Sequence, residues 1–150
     1  MSSNIRLATH DDQQIIEDII NESFSIYIPL INRKPQPMLD DYSALIKDGY
    51  VYVAERDGEI HGTVVLAPKQ DYMLVDNIAV AESARGTGLG RKMLDFADEA
   101  ARRAGYDTVR LHTNETMVKN IAIYKRLGYV ETHRADNRGF QRVYMAKMLS

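Results

Sequence analysis

The chain has 150 residues, 45% of them hydrophobic and 27% charged, with 19 basic side chains against 21 acidic ones and a formal net charge of −2. That length favours one domain over residues 1–150, and the composition is that of a globular core rather than a disordered chain. The chain contains no cysteine, which excludes thiol nucleophiles, zinc ribbons, iron–sulfur clusters and any disulfide framework. Near-neutral charge without a basic run argues against a nucleic-acid partner. No apolar stretch approaches the roughly 20 residues of a membrane span, and Met1 to Leu7 is too polar for a secretory signal. A soluble cytoplasmic domain is the expectation.

In chain order, Asn4 to Ala8 reads as a short strand. Thr9 caps a helix with Asp11 and Asp12 in its first turn, and Ile15, Ile16, Ile19 and Ile20 give that helix one apolar stripe. From Phe24 to Pro37, three prolines break a segment that stays apolar at Tyr27, Ile28, Leu30 and Ile31. So greasy a connection is expected to fold over something, such as a substrate entrance. A second helix is expected over about Met38 to Lys47, stopped by Gly49.

From Tyr50 the pattern turns to β. Tyr50 to Glu55 and Glu59 to Ala67 flank an Asp57–Gly58 hairpin turn, and Tyr72 to Val80 adds a third strand after the turn at Pro68 to Asp71. Arg85-Gly86-Thr87-Gly88-Leu89-Gly90 then opens a helix to Ala104. Leu89, Met93, Phe96/Ala97, Ala100 and Ala104 stripe it, and Gly105 stops it. Asp107 to Thr113 is a strand. Met117, Ile121, Tyr124 and Leu127 stripe another helix ended by Gly128, and Tyr129 to Arg134 and Phe140 to Met148 form a last strand pair around a polar Ala135 to Gly139 turn. The expected class is mixed α/β (α+β), with a mainly antiparallel central sheet, flanking helices and one right-handed parallel crossover through the glycine loop.

A strand, a glycine-rich turn and a helix start make an anion site. The first helical N–H groups lack intrahelical partners, glycine lets a phosphate come close, and Arg85, Arg91 and Lys92 add charge. Walker A chemistry needs a Lys-Ser/Thr pair after the last glycine, whereas Arg91-Lys92-Met93 follows Gly90. The dinucleotide fingerprint needs glycine at position 91, which is arginine. A tight structural turn needs one glycine. Three at alternating positions, among cations at a helix start, favour the anion site.

Asp76-Asn77-Ile78-Ala79-Val80 followed by Arg85 to Arg91 resembles the acetyl-CoA-binding core of the GNAT acyl-CoA N-acyltransferase superfamily, whose pattern is Gln/Arg-x-x-Gly-x-Gly/Ala after a strand ending in Ala-Val. Tyr124-Lys125-Arg126-Leu127-Gly128-Tyr129 is similar to its second signature, Tyr-x-Lys-Leu-Gly-Phe/Tyr. The first motif fits two registers: from Arg85, with Gly88 and Gly90, or from Ser83, with Gly86 and Gly88. Where the family often has asparagine seven residues before the tyrosine, this chain has Met117, with Asn114 and Asn120 nearby.

The resemblance implies a GNAT-like fold with splayed parallel strands around the loop. It also implies that backbone amides of Arg85, Gly86, Thr87, Gly88, Leu89, Gly90 and Arg91 hold the pyrophosphate of acetyl-CoA. Ile78, Ala79 and Val80 would flank the pantetheine arm, with Asn120 on the facing helix, and Tyr124 would serve as general acid toward the leaving thiolate. The competing reading of Tyr124 is a core tyrosine completing its stripe. Asp76 is the first candidate base for the attacking amine; Glu22 and a water relay are rivals. The four histidines, His10, His61, His112 and His133, lack ligand spacing and read as surface or strand residues, with no metal expected. His112 shares a strand face with Arg110. Arg134, Arg138 and Arg142 belong to a solvated hairpin or bind an anionic substrate.

Two functions are therefore weighed: an N-acetyltransferase acting directly on a primary amine, and an acyl-CoA-binding or sensing module without turnover. A purely structural domain would bind no CoA. The acceptor, a small molecule or peptide amine, would be contacted by the Phe24 to Met38 segment and the Ala135 to Gly139 turn. A homodimer is implied by resemblance only.

Overall fold

The computed structural model describes residues 4–150; Met1 to Ser3, the start of the segment read as too polar for a signal, lie outside the described residues. Seven strands form one sheet in the order β1-β2-β3-β4-β5-β7-β6. They are β1 (Asn4–Leu7), β2 (Val51–Arg56), β3 (Glu59–Pro68), β4 (Met73–Val80), β5 (Thr108–Asn114), β6 (Val130–Asn137) and β7 (Phe140–Met148). Every neighbouring pair is antiparallel except β4 and β5, the single parallel crossover. Its connection is helix α4 (Leu89–Arg103).

Two cores sandwich the sheet. On one side α4 and α5 (Val118–Arg126) bury Met93, Ala97, Ala101 and Ile121 against Val64, Val75, Val109 and Met145. On the other, α1 (Gln13–Phe24) and α3 (Tyr42–Lys47) bury Ile16, Ile20, Tyr42 and Ile46 against Val51, Val53 and Val65. Among the described residues no helix is long and apolar enough to cross a membrane.

Several elements differ from the sequence reading. The helix expected over Met38 to Lys47 begins only at Tyr42, where the Asp41 carboxylate accepts the Ala44 N–H at 3.1 Å; Gln36–Met38 is a separate turn. The proline-broken segment holds a four-residue helix, α2 (Ile28–Ile31), ended by Asn32 in the left-handed region. Strand β6 continues to Asn137, so the polar turn contracts to Arg138 and Gly139, both at positive φ, a tight two-residue hairpin. The α4 stripe buries Leu89, Met93, Ala97 and Ala101, and leaves Ala104 exposed. Asp12 stands in the first turn after Thr9, as expected, and has a further role. It is buried, accepts the Thr9 N–H and takes Arg6 bidentately at 2.8 and 3.1 Å, which holds its carboxyl below the usual range.

Two irregularities in β4 position the site. Val65 pairs with Asn77 and Leu66 with Val75, so Asp76 is an extra residue with no partner on β3. This bulge reverses the alternation: Met73 and Val75 face the α4 side, whereas Ala79 packs on the α1 side and Ile78 and Val80 turn to α4. Beyond the bulge, β4 also leaves β5, to which it pairs only over Met73 to Val75. The sheet forks at Asp76.

Candidate active site

Two hollows meet in the fork. The larger, about 580 Å³, runs along the open edge of β4 between the glycine loop and α5. Ile78, Ala79 and Val80 form its floor, Arg85, Gly86, Gly88, Leu89, Gly90 and Arg91 one wall, and Lys119, Asn120, Ile123 and Tyr124 the other. Phe24, the last residue of α1, and Tyr27, in the turn that follows, close its side. The smaller, about 60 Å³, lies on the far side of the fork and contains Asp76, Asn77, His112, Asn114, Phe140 and Arg142. Phe24, Ile78, Asn120 and Tyr124 line both.

The loop's conformation explains its glycines. Gly86 and Gly88 have φ of +78° and +83°, where an L side chain is strained, although a Cβ at either would meet nothing within 4 Å. Gly90 is helical, and its Cβ would stand 3.7 Å from Val80 Cγ2, an ordinary contact. Arg85 is extended, and Gly88 precedes Leu89 as the helix cap, so the first N–H groups of α4 face the cleft without intrahelical partners. Thr87 alone of the loop residues turns away: its hydroxyl donates to the Ala84 carbonyl at 2.5 Å, and it does not line the cleft. The cleft's size, free amides and the cations Arg85, Arg91 and Lys119 suit an extended polyanionic thioester such as acetyl-CoA.

Tyr124 stands between the two hollows. Its ring meets Tyr129 edge-on at 5.9 Å, and its hydroxyl has no hydrogen-bond partner among the described residues. Burial, helped by nearby Tyr27, pushes its phenol up to about 12. Met117, in the family's asparagine position, is buried against the α1 core and accepts the Thr113 hydroxyl through sulfur at 3.3 Å. Asn120 is the amide that reaches both hollows.

At the fork itself Asp76 Oδ1 lies 3.6 Å from His112 Nε2. His112 is thus not a plain strand histidine; its side chain is 14% exposed and faces the candidate base. Asp40, expected inside the Met38 to Lys47 helix, instead lies ahead of α3 and adds a second carboxyl. Its burial raises its pKa, the Gln36 amide bonded to it at 3.1 Å counteracts this, and the Asp76 charge raises it further. Asn77 donates to the Tyr42 hydroxyl at 3.0 Å, which donates to the Pro37 carbonyl at 2.6 Å, fixing the strap over the smaller hollow. The Asn77 Oδ1 is buried without a partner. Glu22, the rival base, is committed elsewhere: it accepts the Glu82 N–H at 2.7 Å at the loop's start. No cluster able to hold a metal ion occurs among the described residues.

Fold and fork together define the class. The Acetyltransferase (GNAT) domain family matches residues 47–131, and the chain belongs to that family. It is 28% identical over 94 residues to the uncharacterized N-acetyltransferase YvbK of Bacillus subtilis, a match covering 62% of this chain and 61% of that one. It is 27% identical over 120 residues to an IAA acetyltransferase of Azospirillum brasilense, covering 79% of this chain and 76% of that one. The chain thus spans about three-fifths of the length of YvbK and of Escherichia coli YjgM. Among solved structures it superposes on the ribosomal-protein-S18-alanine N-acetyltransferase of Escherichia coli with TM-score 0.78 at 18% identity, over 99% of this chain and 94% of that one. An acetyl-CoA-bound GNAT acetyltransferase of Elizabethkingia anophelis gives 0.73 at 18% identity over 99% of both chains. These likenesses bear out the mixed fold with its mostly antiparallel seven-stranded sheet.

Proposed function

We propose that the protein moves an acetyl group from acetyl-CoA directly onto a primary amine, acting as one domain over residues 1–150. The fork carries this reading: it separates a cleft with free loop amides from an acidic hollow, and joins them at Ile78 and Tyr124. A sensor needs the first; the second, with its Asp76–His112 pair and unpartnered phenol, favours turnover.

In this reading the amides and cations of the 85–91 loop hold the pyrophosphate, and the free edge of β4 offers backbone groups to the two pantetheine amides. The amine enters from the Asp76 side, gives a proton to Asp76, and attacks the thioester carbonyl carbon. As the carbon–sulfur bond breaks, Tyr124, which lines both hollows, is placed to meet the departing sulfur, and the remaining nitrogen proton leaves with CoA. A phenol near 12 lies well above an ordinary thiol at about 8.5, so Tyr124 serves as a hydrogen-bond donor to the thiolate and keeps its proton at equilibrium. The role needs the protonated phenol, so kcat is expected to hold on the alkaline side until pH approaches about 12. With no cysteine in the sequence, no thiol carries the acetyl group. A cytoplasmic homodimer remains part of the proposal, to be read by sedimentation.

The test is calorimetry with acetyl-CoA followed by an amine-library acetylation screen. Acetyl-CoA is expected to bind and to raise the thermal midpoint. Tyr124→Phe is expected to lower kcat by about 10²-fold or more while acetyl-CoA affinity holds. Binding without transfer to any amine returns the protein to the sensing module; no binding removes both readings.

A further inference from the structure

Beyond Asp76 the sheet carries a feature that acetyl transfer does not require. The helices α1 and α3 cover β2 to β4 and stop there, which leaves the same face of β5, β7 and β6 open as a trough of about 440 Å³. Asp76 and His112 stand at its inner end. Register sets His112 opposite Tyr144, and Tyr144 opposite His133, so three rings form a row across three strands. Their centroids are 6.0 Å apart for His112 and Tyr144, and 4.4 Å for Tyr144 and His133, the latter pair parallel to within 4°.

Side chains on a strand stand upright from the sheet, so the stacked Tyr144 and His133 rings present hydrogen-bearing edges outward, and His112, tilted 54° to Tyr144, extends the row to about 10 Å. Such edges favour the negative face of a flat ring laid over them. Two guanidiniums flank the row, each two residues along its strand: Arg110 beside His112, and Arg142 beside Tyr144. Arg110 lies 4.7 Å over the Tyr72 ring and Arg142 donates to the Tyr144 hydroxyl at 3.5 Å; neither has a carboxylate within ion-pair distance among the described residues. The trough thus has an acidic head, where an ammonium would sit before losing its proton, a floor of ring edges, and unspent cations at its sides.

We propose that the acceptor is a small amine bearing a flat ring and a carboxylate, with the ring on the His112–Tyr144–His133 row and the carboxylate at Arg142 or Arg110. This rests on the acetyltransferase reading and names its substrate class. One proton of the ammonium goes to Asp76, the nitrogen–carbon bond forms, and the carbon–sulfur bond breaks while the second nitrogen proton passes to the sulfur, which frees CoA as its thiol.

The experiment compares phenylalanine and para-aminomethylbenzoate with phenethylamine, which lacks the carboxylate, and alanine, which lacks the ring. Acetylation is measured on the acetyl-CoA-loaded protein, and direct binding by calorimetry on the CoA-loaded protein. Compounds with both groups are expected to exceed either partial compound about tenfold in kcat/KM or in affinity. Tyr144→Leu and His133→Ala should erase the ring preference, and Arg142→Gln or Arg110→Gln the carboxylate preference, with acetyl-CoA affinity unchanged in all four. The proposal is overturned if alanine or phenethylamine does as well, if the preferences survive the substitutions, or if Tyr144→Leu instead abolishes self-association. It is likewise overturned if no ring-bearing acid binds the CoA-loaded protein. Acetylation of some other amine would then leave the transferase reading standing, whereas failure to bind acetyl-CoA removes that reading too.

Discussion

The two sides of the fork are built differently. On the cofactor side the groups assigned to the pantetheine and pyrophosphate come from one stretch of chain, residues 78–91, and are mainly backbone: an open strand edge, two left-handed glycines and the first amides of α4, faced by side chains of α5. The acceptor side is assembled from side chains at positions 40, 76, 112, 142 and 144, brought together by a bulge, a parallel pair and the β5–β7 register. A backbone site tolerates most side-chain changes and fails when φ is disturbed. A side-chain site fails one residue at a time. The two should therefore separate under mutation, with acetyl-CoA affinity reporting one side and kcat or acceptor KM the other.

The largest expected effect is at the fork. Asp76→Asn keeps the bulge and the volume but removes the proton acceptor, so kcat should fall by about 10²–10⁴-fold at neutral pH. Acetyl-CoA affinity should stay within about twofold, because Asp76 does not line the cofactor cleft. Equal loss in both would show that the fork is one unit, not two. His112→Gln should give a smaller fall, since His112 faces and orients Asp76 without taking the place of the carboxylate.

On the cofactor side the sensitive atom is a Cβ. Gly88→Ala puts an L side chain at φ +83°, which costs about 1–2 kcal/mol. The free loop relaxes away from the strain and binding must restore it, so acetyl-CoA affinity should weaken by about 5–30-fold while kcat at saturation holds. Gly90→Ala, at a helical position whose Cβ would only touch Val80 at 3.7 Å, should leave thermal stability unharmed. Calorimetry on the two variants checks the contrast between conformation and space.

The same difference decides what the sequence could reveal. The cofactor side was legible because its information is local: alternating glycines after Ala79-Val80, and Tyr124 ahead of Gly128-Tyr129, lie within windows of a dozen residues. The hairpin at Asp57–Gly58 and the stripe of α4 were legible for the same reason. The acceptor side was not. Asp76 was named, but its bulge depends on a register between β3 and β4 that no local pattern encodes. His112 looked like any strand histidine until β4 ran beside β5. Asp40 fell inside the helix expected over Met38 to Lys47, whereas α3 starts only at Tyr42 and Asp40 lies in the turn before it. Met117 departs from the family's asparagine, and the structure packs it in the core with its sulfur on the Thr113 hydroxyl.

The smallest expected effect tests whether the strap belongs to the acceptor side alone. Arg33, just after α2, donates from Nη1 to the Arg138 carbonyl at 2.7 Å and lies 3.9 Å over the Phe140 ring, joining the proline-broken segment to the β6–β7 turn. Phe140 lines the acidic hollow, and neither Arg33 nor Arg138 lines the cofactor cleft. An exposed cation–ring contact is worth about 0.5–1 kcal/mol, so Arg33→Ala should raise the acceptor KM by about two- to fivefold and leave acetyl-CoA affinity unchanged. The thermal midpoint should fall by no more than about 4 °C. Gly139→Ala approaches the same latch from the other strand: its Cβ would fall 2.8 Å from Arg33 Nη1, at φ +89°, and should displace the guanidinium. If both variants change acceptor KM alike, the latch sets the width of the acceptor hollow. If acetyl-CoA affinity falls with it, the strap couples the two sides, and the division between a backbone site and a side-chain site ends at Arg33.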